Sequence, residues 1–165
     1  MPKFSAVIIA KNEEHNLRRC LQSLQWVDEV VVNDTGSSDQ TTATARAFPN
    51  VVVMQSPWLG YAENKSQAIE RARNNWILWI DADEEVSPQL KDELVQLQNS
   101  DAGGIDGWEI PRLTYFTGRP VRHCGWYPGF VLRLFDRRRG RMNNKRLHEG
   151  VEMTADSRVQ RLRGD

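Results

Sequence analysis

Runs of β-forming residues alternate with helix-patterned segments four times over roughly the first 100 residues, and this alternation constrains the fold more than any other feature. The predicted strands cover residues 5–10, 29–33, 51–54 and 76–80. Apolar residues at helical spacing predict helices over residues 13–25, 61–74 and 88–98, with a further helix ending at residue 48. Such alternation is typical of an α/β fold with a mainly parallel sheet and right-handed crossovers.

Two of the predicted helices carry recognisable start signals. Ser37, Ser38 or Asp39 can provide the side-chain cap of the helix that ends at residue 48. Ser87 followed by Pro88 predicts the N-cap and the first position of the helix that ends near residue 98.

Polar clusters directly follow three of the predicted strands. They are Lys11-Asn12-Glu13, Asn33-Asp34 and the acidic run from Asp81 to Glu85. In sheets of this class, ligands bind beyond the carboxyl ends of the strands, where the strand order reverses. We therefore expect the three clusters to meet in one crevice.

The acidic run places Asp81, Asp83, Glu84 and Glu85 within five residues. Close carboxylates repel one another unless water, bases or a cation lies between them. An extended backbone would point Asp81 and Asp83 to the same side. Oxygen-rich pairs of this kind suit Mg²⁺ or Mn²⁺, which bind carboxylates together with substrate phosphates.

Length and composition indicate one globular domain. The 165 residues suffice for one core, and 39% hydrophobic and 27% charged residues are ordinary values. The apolar runs are too short to cross a bilayer, and the N-terminus reads as a first strand, so we expect a cytoplasmic location. Cys20 and Cys124 lack metal-ligand spacing and are expected to be free thiols.

The net charge is zero, but its distribution is uneven. Residues 1–111 contain nine Lys and Arg against seventeen Asp and Glu, whereas residues 112–146 contain ten against one. The basic part suits an anionic partner: phosphates, nucleic acid or an acidic membrane surface. For any single arginine, a solvated position on the surface is the plainer explanation. For the run at residues 137–139, phosphate binding and a solvated turn both stay open.

The pattern changes after Gly104. Residues 108–116 and 130–135 are predicted strands, and residues 117–129 are a predicted loop rich in Gly, Pro and aromatic residues. We expect a smaller, less regular extension of the same domain.

Three motifs, taken in order, resemble those of the family 2 glycosyltransferases. Residues 5–13 read Ser-Ala-Val-Ile-Ile-Ala-Lys-Asn-Glu, residues 31–39 read Val-Val-Asn-Asp-Thr-Gly-Ser-Ser-Asp, and residues 80–83 read Ile-Asp-Ala-Asp. With Leu-His-Glu-Gly at residues 147–150, the chain is most similar to bacterial lipopolysaccharide-core enzymes that transfer glucose to an inner-core heptose. A lone Asp-x-Asp occurs often by chance, whereas the ordered set is far more specific.

The resemblance implies a GT-A fold, which is Rossmann-like, and a single domain over residues 1–165. Residues 1–100 would form its nucleotide-sugar-binding half, and residues 101–165 an acceptor-side extension. Because similar enzymes continue well beyond the His-Glu-Gly segment, we expect this extension to be incomplete.

The resemblance also assigns the nucleotide pocket. Ala10, Asn12 and Glu13 match the segment that lines it, and Asp34 matches the acid that usually contacts the base or the ribose. Lys65 is expected to approach the donor, with a solvated helix lysine as the alternative.

A divalent cation, Mg²⁺ or Mn²⁺, is implied at the Asp-x-Asp motif. Asp83 would be its direct ligand and would act in catalysis, while Asp81 would also face the ribose or a metal-bound water. His148 is a candidate third metal ligand or phosphate contact, because a neutral imidazole suits Mn²⁺.

The attacking hydroxyl must lose a proton, so the reaction needs a base opposite the leaving group. Glu149 is the first candidate, with Glu84 and Glu85 as alternatives. Arg133 is a candidate for binding phosphate, and Trp126 is the candidate aromatic contact to the acceptor.

The implied function is inverting, metal-dependent transfer of a sugar, with glucose favoured, from a nucleotide-sugar donor, with a UDP-sugar favoured. The acceptor would be a lipopolysaccharide inner core or a similar anionic glycolipid or oligosaccharide, reached at the inner membrane face by residues 112–146. No nucleic acid partner is expected.

Two alternatives stay open. A nucleotidyltransferase would use the same carboxylate metal site, although residues 10–14 lack the glycines of its phosphate loop. A nucleic-acid-binding module would use the basic segment, but it would leave the acidic clusters without a role.

Overall fold

The computed structural model describes residues 2–100, 103–123, 127–143 and 150–165. Its strands are β1 Phe4–Ala10, β2 Glu29–Asp34, β3 Val51–Gln55, β4 Trp76–Trp79, β5 Gly107–Arg112, β6 Thr114–Phe116, β7 Arg119–Val121, β8 Gly129–Asp136, β9 Gly140–Met142, β10 Val151–Met153 and β11 Val159–Arg161. Its helices are α1 Glu14–Ser23, α2 Thr41–Arg46, α3 Tyr61–Arg71 and α4 Pro88–Asn99. Within these ranges, seven strands form a central sheet in the order β11-β5-β8-β4-β1-β2-β3.

The first four strands run parallel, as the alternating pattern predicts. β1 pairs with β2 and with β4, and β2 pairs with β3. β8 lies between β4 and β5 and is antiparallel to both. The arrangement confirms an α/β fold with a mostly parallel central sheet.

The direction of β8 decides where the second part of the chain emerges. Because β8 runs opposite to β4 and β5 runs opposite to β8, the carboxyl ends of β4 and β5 lie at the same edge of the sheet. We call this edge, which also holds the carboxyl ends of β1, β2 and β3, the carboxyl edge. The hairpin of β6 and β7 follows β5 directly and so begins there.

The sheet buries apolar side chains on both faces. Along β1, Ala6 and Ile8 join the cluster that contains Leu17 of α1, whereas Val7 joins the cluster that contains Ile69 of α3. Successive strand residues point to opposite faces, so a strand covered on both sides must be apolar at nearly every position.

Cys20 of α1 lies within the first of these clusters, and its thiol is free. Cys124 lies outside the described residues. Over the described part of the chain, no helix is long and apolar enough to cross a membrane.

The predicted N-cap of α4 is confirmed, because the Ser87 hydroxyl oxygen accepts a hydrogen bond from the Leu90 backbone N–H at 3.1 Å. For α2, none of the three candidates is the N-cap, because the helix begins at Thr41 and the capping position is Gln40, which makes no side-chain cap hydrogen bond. The Asp39 carboxylate, one residue earlier, accepts from the Thr41 backbone N–H at 2.9 Å. The Ser37 hydroxyl instead binds the β1–α1 loop.

The second part is less continuous than its sequence pattern predicts. The strand predicted over residues 108–116 is divided at Leu113 into β5, within the sheet, and β6, outside it. β6 pairs with β7, which lies in the predicted loop over residues 117–129. The prediction of a single strand over residues 108–116 was therefore wrong, because apolar composition alone does not show where a strand leaves the sheet.

Candidate active site

A cleft of about 430 Å³ opens at the carboxyl edge, next to the ends of β1 and β4. Its lining residues are Ile9, Ala10, Lys11, Glu13, Thr35, Trp58, Tyr61, Asp81, Ala82 and Asp83. The polar clusters that follow β1 and β4 therefore meet in one crevice. At the third strand end, that of β2, the residue that lines the cleft is Thr35, which directly follows the strand.

Asn12 joins the loops that follow β1 and β2. Its backbone N–H donates to the Ser37 hydroxyl oxygen at 2.9 Å, and its side-chain oxygen accepts from the Ser38 backbone N–H at 2.9 Å. Its φ of 56° lies in the left-handed region, which asparagine tolerates better than most residues. Asn12 thus holds the cleft wall in place and is itself absent from the lining.

Glu13 lies at the same junction but lines the cleft. Its backbone N–H donates to the Thr41 hydroxyl oxygen at 2.8 Å, and its carboxylate accepts from the Asn16 side-chain amide at 2.9 Å. The first contact fixes the start of α1 against α2, and the second lies within the first turn of α1. Ala10 also lines the cleft and is buried.

Asp34 is buried at the carboxyl end of β2. It is 1% exposed, and its carboxylate accepts from the Ser37 backbone N–H at 3.3 Å. It is not among the cleft-lining residues. In this arrangement Asp34 shapes the turn that presents Thr35.

Asp81 is held by two cations. The Lys65 ammonium lies 3.1 Å from one of its carboxylate oxygens, and the Arg133 guanidinium lies 3.3 Å from the other. Burial opposes ionisation of Asp81, but the charges of Arg133 and Lys65 outweigh it and keep its pKa below the ordinary value. Lys65 is 2% exposed, so the alternative of a solvated helix lysine is wrong.

Both cations also contact one aromatic ring, Trp79. The Lys65 ammonium lies 4.0 Å from the ring centroid and the Arg133 guanidinium carbon 3.7 Å from it. The Trp79 indole N–H donates to the Leu132 carbonyl at 2.7 Å, which fixes the ring. Trp79 lies in the predicted strand over residues 76–80 and is 4% exposed, but its cation-binding role was not predicted.

Glu84 completes this group of charges. Its carboxylate accepts from the Arg133 guanidinium at 2.6 Å and from the Asp81 backbone N–H at 3.1 Å. Burial raises the pKa of Glu84 and Asp81 adds to the rise, while Arg133 acts against it. Glu85 instead pairs with Arg19 at 3.2 Å.

Asp83 is the exposed member of the Asp-x-Asp pair and lines the cleft. The backbone here is a turn rather than the extended segment expected from the sequence, because the Glu84 N–H donates to the Asp81 carbonyl at 3.0 Å. Asp81 and Asp83 nevertheless both reach the cleft.

A divalent cation fits this donor set. Mg²⁺ and Mn²⁺ need only one or two carboxylates when substrate phosphates complete the shell, and Asp83 supplies an exposed one, whereas both oxygens of Asp81 are paired with Lys65 and Arg133. Among the described residues, no group of three or more His, Cys, Asp or Glu is placed to hold a metal by itself. His148, the predicted third ligand, lies outside those residues.

Two other candidates from the sequence, Glu149 and Trp126, lie outside the described residues. Trp58 lines the cleft and packs edge-on against Tyr61, with ring centroids 4.9 Å apart. Tyr61 was missed as a site residue because it looked like the first apolar residue of α3.

The arginines of residues 137–139 lie in a turn, as the sequence suggests, and Arg138 is exposed, but all three also contact the rest of the fold. Arg137 donates to the Ile69 and Ala72 carbonyls at the end of α3, at 2.9 and 2.8 Å. Arg138 pairs with Asp136. Arg139 pairs with Asp106 at 3.6 Å and with Asp156 at 2.6 Å.

Comparison with known proteins identifies the family of this chain. Residues 5–153 match the family model described as "Glycosyl transferase family 2". The chain is 35% identical to the lipopolysaccharide core biosynthesis glycosyltransferase LpsC of Rhizobium meliloti over 157 residues, which are 89% of this chain and 56% of LpsC. It is 47% identical over 95 residues to an uncharacterized glycosyltransferase of Rickettsia felis, covering 57% of this chain and 33% of that protein. The chain thus spans about half or less of these relatives' lengths.

Solved structures share the architecture. TarS of S. aureus, in complex with UDP-GlcNAc, superimposes with a TM-score of 0.57 at 27% identity, over 73% of this chain and 37% of that one. Glucosyl-3-phosphoglycerate synthase from Mycobacterium tuberculosis, in complex with Mn²⁺, UDP and glucosyl-3-phosphoglycerate, gives 0.55 at 24% identity, over 71% and 45%. The second likeness shows the fold alone.

A mostly parallel sheet with an acidic cleft at its carboxyl edge defines a domain of the GT-A type. The chain belongs to glycosyl transferase family 2, and its resemblance to lipopolysaccharide-core enzymes is confirmed.

Proposed function

We propose that this domain transfers a sugar, with inversion, from a nucleotide-sugar donor to a lipopolysaccharide inner-core or similar glycolipid acceptor. The observation that carries the proposal is the cleft at the carboxyl edge, where Asp83, Asp81, Glu13 and Thr35 converge. A uridine diphosphate donor is favoured because the related TarS fold has been solved with UDP-GlcNAc. The core acceptor is proposed from the likeness to LpsC, and glucose is favoured only because the motifs resemble core enzymes that transfer it.

In this proposal the two aspartates have different tasks. Asp83, exposed in the cleft, would hold a divalent cation, with Asp81 beside it, and the cation would neutralise charge on the diphosphate leaving group. Lys65 and Arg133 keep Asp81 ionised and oriented. Ala10, Glu13 and Thr35 would line the nucleotide pocket, with Asn12 and Asp34 fixing the loops behind it.

The base is proposed as Glu149, with His148 at the cation or the phosphates. Both assignments rest on the resemblance. Glu84 is a poorer candidate, since its carboxylate is bound to Arg133 at 2.6 Å and is absent from the cleft lining. Glu85 is engaged with Arg19.

The two parts of the domain divide the work in the same proposal. The described cleft-lining residues all fall between Ile9 and Asp83, which supports residues 1–100 as the nucleotide-sugar-binding half. Residues 101–165 would then contribute to the acceptor side. Membership of the family favours this reading over a nucleotidyltransferase. The internal pairing of Arg133 and of residues 137–139 weakens the nucleic-acid-binding alternative.

Calorimetry with UDP-glucose and other nucleotide sugars, with and without Mn²⁺, tests the donor site. We expect Mn²⁺ to strengthen binding, and Asp83→Asn to weaken the Mn²⁺-dependent affinity at least about tenfold, as loss of a metal contact typically does. The matched control is Asp92→Asn, which removes an exposed carboxylate from α4. Glu149→Gln should leave donor binding unchanged while transfer falls by about a hundredfold or more. Binding of no nucleotide, or equal binding by Asp83→Asn and the wild type, would refute the assignment.

A further inference from the structure

The hairpin of β6 and β7 exposes aromatic side chains on both of its faces. Phe116 pairs with Arg119 across the strands, and Tyr115 pairs with Pro120. Cross-strand partners share a face and neighbours alternate, so Phe116 and Tyr115 point to opposite faces. Tyr115 is 63% exposed and Phe116 is 71% exposed. Neither face of the hairpin is therefore packed against the domain at these positions.

The hairpin is built to project. Its two-residue connection, Thr117-Gly118, has φ values of 48° and 76°, as a type I′ turn requires. β6 and β7 form a two-stranded sheet of their own, separate from the central sheet. An isolated two-stranded hairpin is marginally stable in water, so exposed aromatics on both faces indicate a second environment that covers them.

The charge around the hairpin is of one sign. Residues 112–123 contain three arginines and no Asp or Glu. Arg119 and Arg122 are exposed, and neither forms an ion pair within the described ranges. Arg122 lies 5.6 Å from the ring centroid of Tyr127, a contact that leaves its charge uncompensated. The covering partner must therefore be anionic as well as apolar.

Exposed apolar side chains concentrate at the same edge of the sheet. Of the six large exposed hydrophobic residues in the described chain, five follow the carboxyl ends of β3 and β5: Trp58, Leu59, Tyr61, Tyr115 and Phe116. The sixth, Val159, begins β11 and pairs with Gly107, so it lies at the opposite edge. Arg112, just before the hairpin, lies 3.9 Å from Glu84 beside the cleft.

We infer that the β6–β7 hairpin inserts its tip into the interface of an anionic lipid bilayer and so holds the carboxyl edge, with its cleft, against the membrane. A protein surface would cover one face of the hairpin, whereas a lipid interface surrounds an inserted tip on both. Aromatic side chains favour the headgroup boundary, and arginines beside them bind anionic headgroups. The inference goes beyond sugar transfer, and vesicle binding without nucleotide tests it separately from donor binding.

The test is co-sedimentation of the chain with vesicles of phosphatidylcholine, with and without phosphatidylglycerol. We expect binding that requires the anionic lipid and weakens with added salt. Tyr115→Ser/Phe116→Ser should lower the partition coefficient roughly tenfold or more, the scale for removing apolar side chains from a lipid-facing position. Arg119→Gln and Arg122→Gln should each lower it about fivefold. Phe116→Trp should bind at least as well as the wild type.

The matched controls lie at the opposite edge of the sheet. Val159→Ser removes an exposed apolar side chain and Arg71→Gln removes an exposed arginine, and neither should change vesicle binding. Circular dichroism and nucleotide binding of the hairpin variants establish that they are folded. Absence of binding to anionic vesicles, or equal loss in the controls, would overturn the inference. So would a concentration-dependent dimer that the hairpin variants abolish while vesicle binding persists, since a second copy would then be the covering partner.

Discussion

Arginine lies next to aromatic rings in two regions of this domain, with opposite consequences. At the cleft, Arg133 stacks on buried Trp79 and pairs with Asp81 and Glu84. At the β6–β7 hairpin, Arg119 shares a face with exposed Phe116, and the surrounding segment has no acid. The same pair of residue types therefore stabilises an internal acidic site in one place and forms an outward surface in the other. The difference lies in whether carboxylates are present to neutralise the cation.

The largest effect expected from this comparison follows removal of the buried ring. Trp79→Ala takes away a core side chain, its hydrogen bond to Leu132 and the surface that both cations contact. We expect the free energy of unfolding in urea to fall by about 4 kcal/mol. Tyr115→Ala at the hairpin should change it by less than about 0.5 kcal/mol, since that ring is exposed. Equal losses at the two positions would break the comparison.

A smaller effect is expected from removing the buried cation. Arg133→Met leaves Asp81 and Glu84 with one cation fewer, and we expect the free energy of unfolding to fall by about 2 kcal/mol. This is less than for a fully buried pair, because the two carboxylates keep 36% and 28% of their side-chain area exposed. Glu84→Gln in the same background should recover part of the loss. The control is Arg119→Met, which should have no measurable effect on unfolding in urea.

The smallest effects are expected in the pH dependence of stability. The pKa values of Asp81 and Glu84 are shifted in opposite directions. The pKa of Asp81 is lowered from 3.8, so its ionised form stabilises the fold above that pH and this contribution is lost as the pH falls through the lowered pKa. The pKa of Glu84 is raised from 4.5, so its contribution is present below that pH and is lost as the pH rises through the raised pKa.

Urea unfolding across this pH range measures both contributions. Glu84→Gln should remove the decline above pH 4.5, and Asp81→Asn should reduce the loss below pH 3.8. Asp92→Asn, on the exposed surface of α4, should leave the profile unchanged. A profile of Glu84→Gln identical to that of the wild type would show that Arg133, rather than burial, controls this carboxyl group.

The sequence predicted the elements of the first part closely, because a buried parallel strand must be apolar and a helix must repeat its apolar residues. Two examples are the strand Trp76–Trp79 and the helix Pro88–Asn99, whose start the Ser87 cap also indicated. The second part was predicted less well. Residues 108–116 are divided between two sheets, and pairing partners rather than local composition decide where such a strand ends.

The residues of the site, like the elements of the fold, were predicted only in part. The ordered motifs indicated Asp81 and Asp83, and the cleft contains both. Nothing in the sequence indicated that Lys65, 16 positions before Asp81, and Arg133, 52 positions after it, would both reach its carboxylate. The sequence singled out Arg133 as a candidate for binding phosphate, but it did not indicate Asp81 and Glu84 as its partners.

By itself, the sequence determined the α/β class, the family and the edge of the sheet at which the cleft opens, because hydrophobic periodicity and short motifs are local properties of the chain. Only the tertiary structure decided which charges meet. Pairing β8 between β4 and β5 brings Arg133 to Trp79 and Asp81, and the same pairing leaves the hairpin outside the sheet. Electrostatic interactions depend on distance and burial, and both are set by long-range strand order that local sequence does not specify.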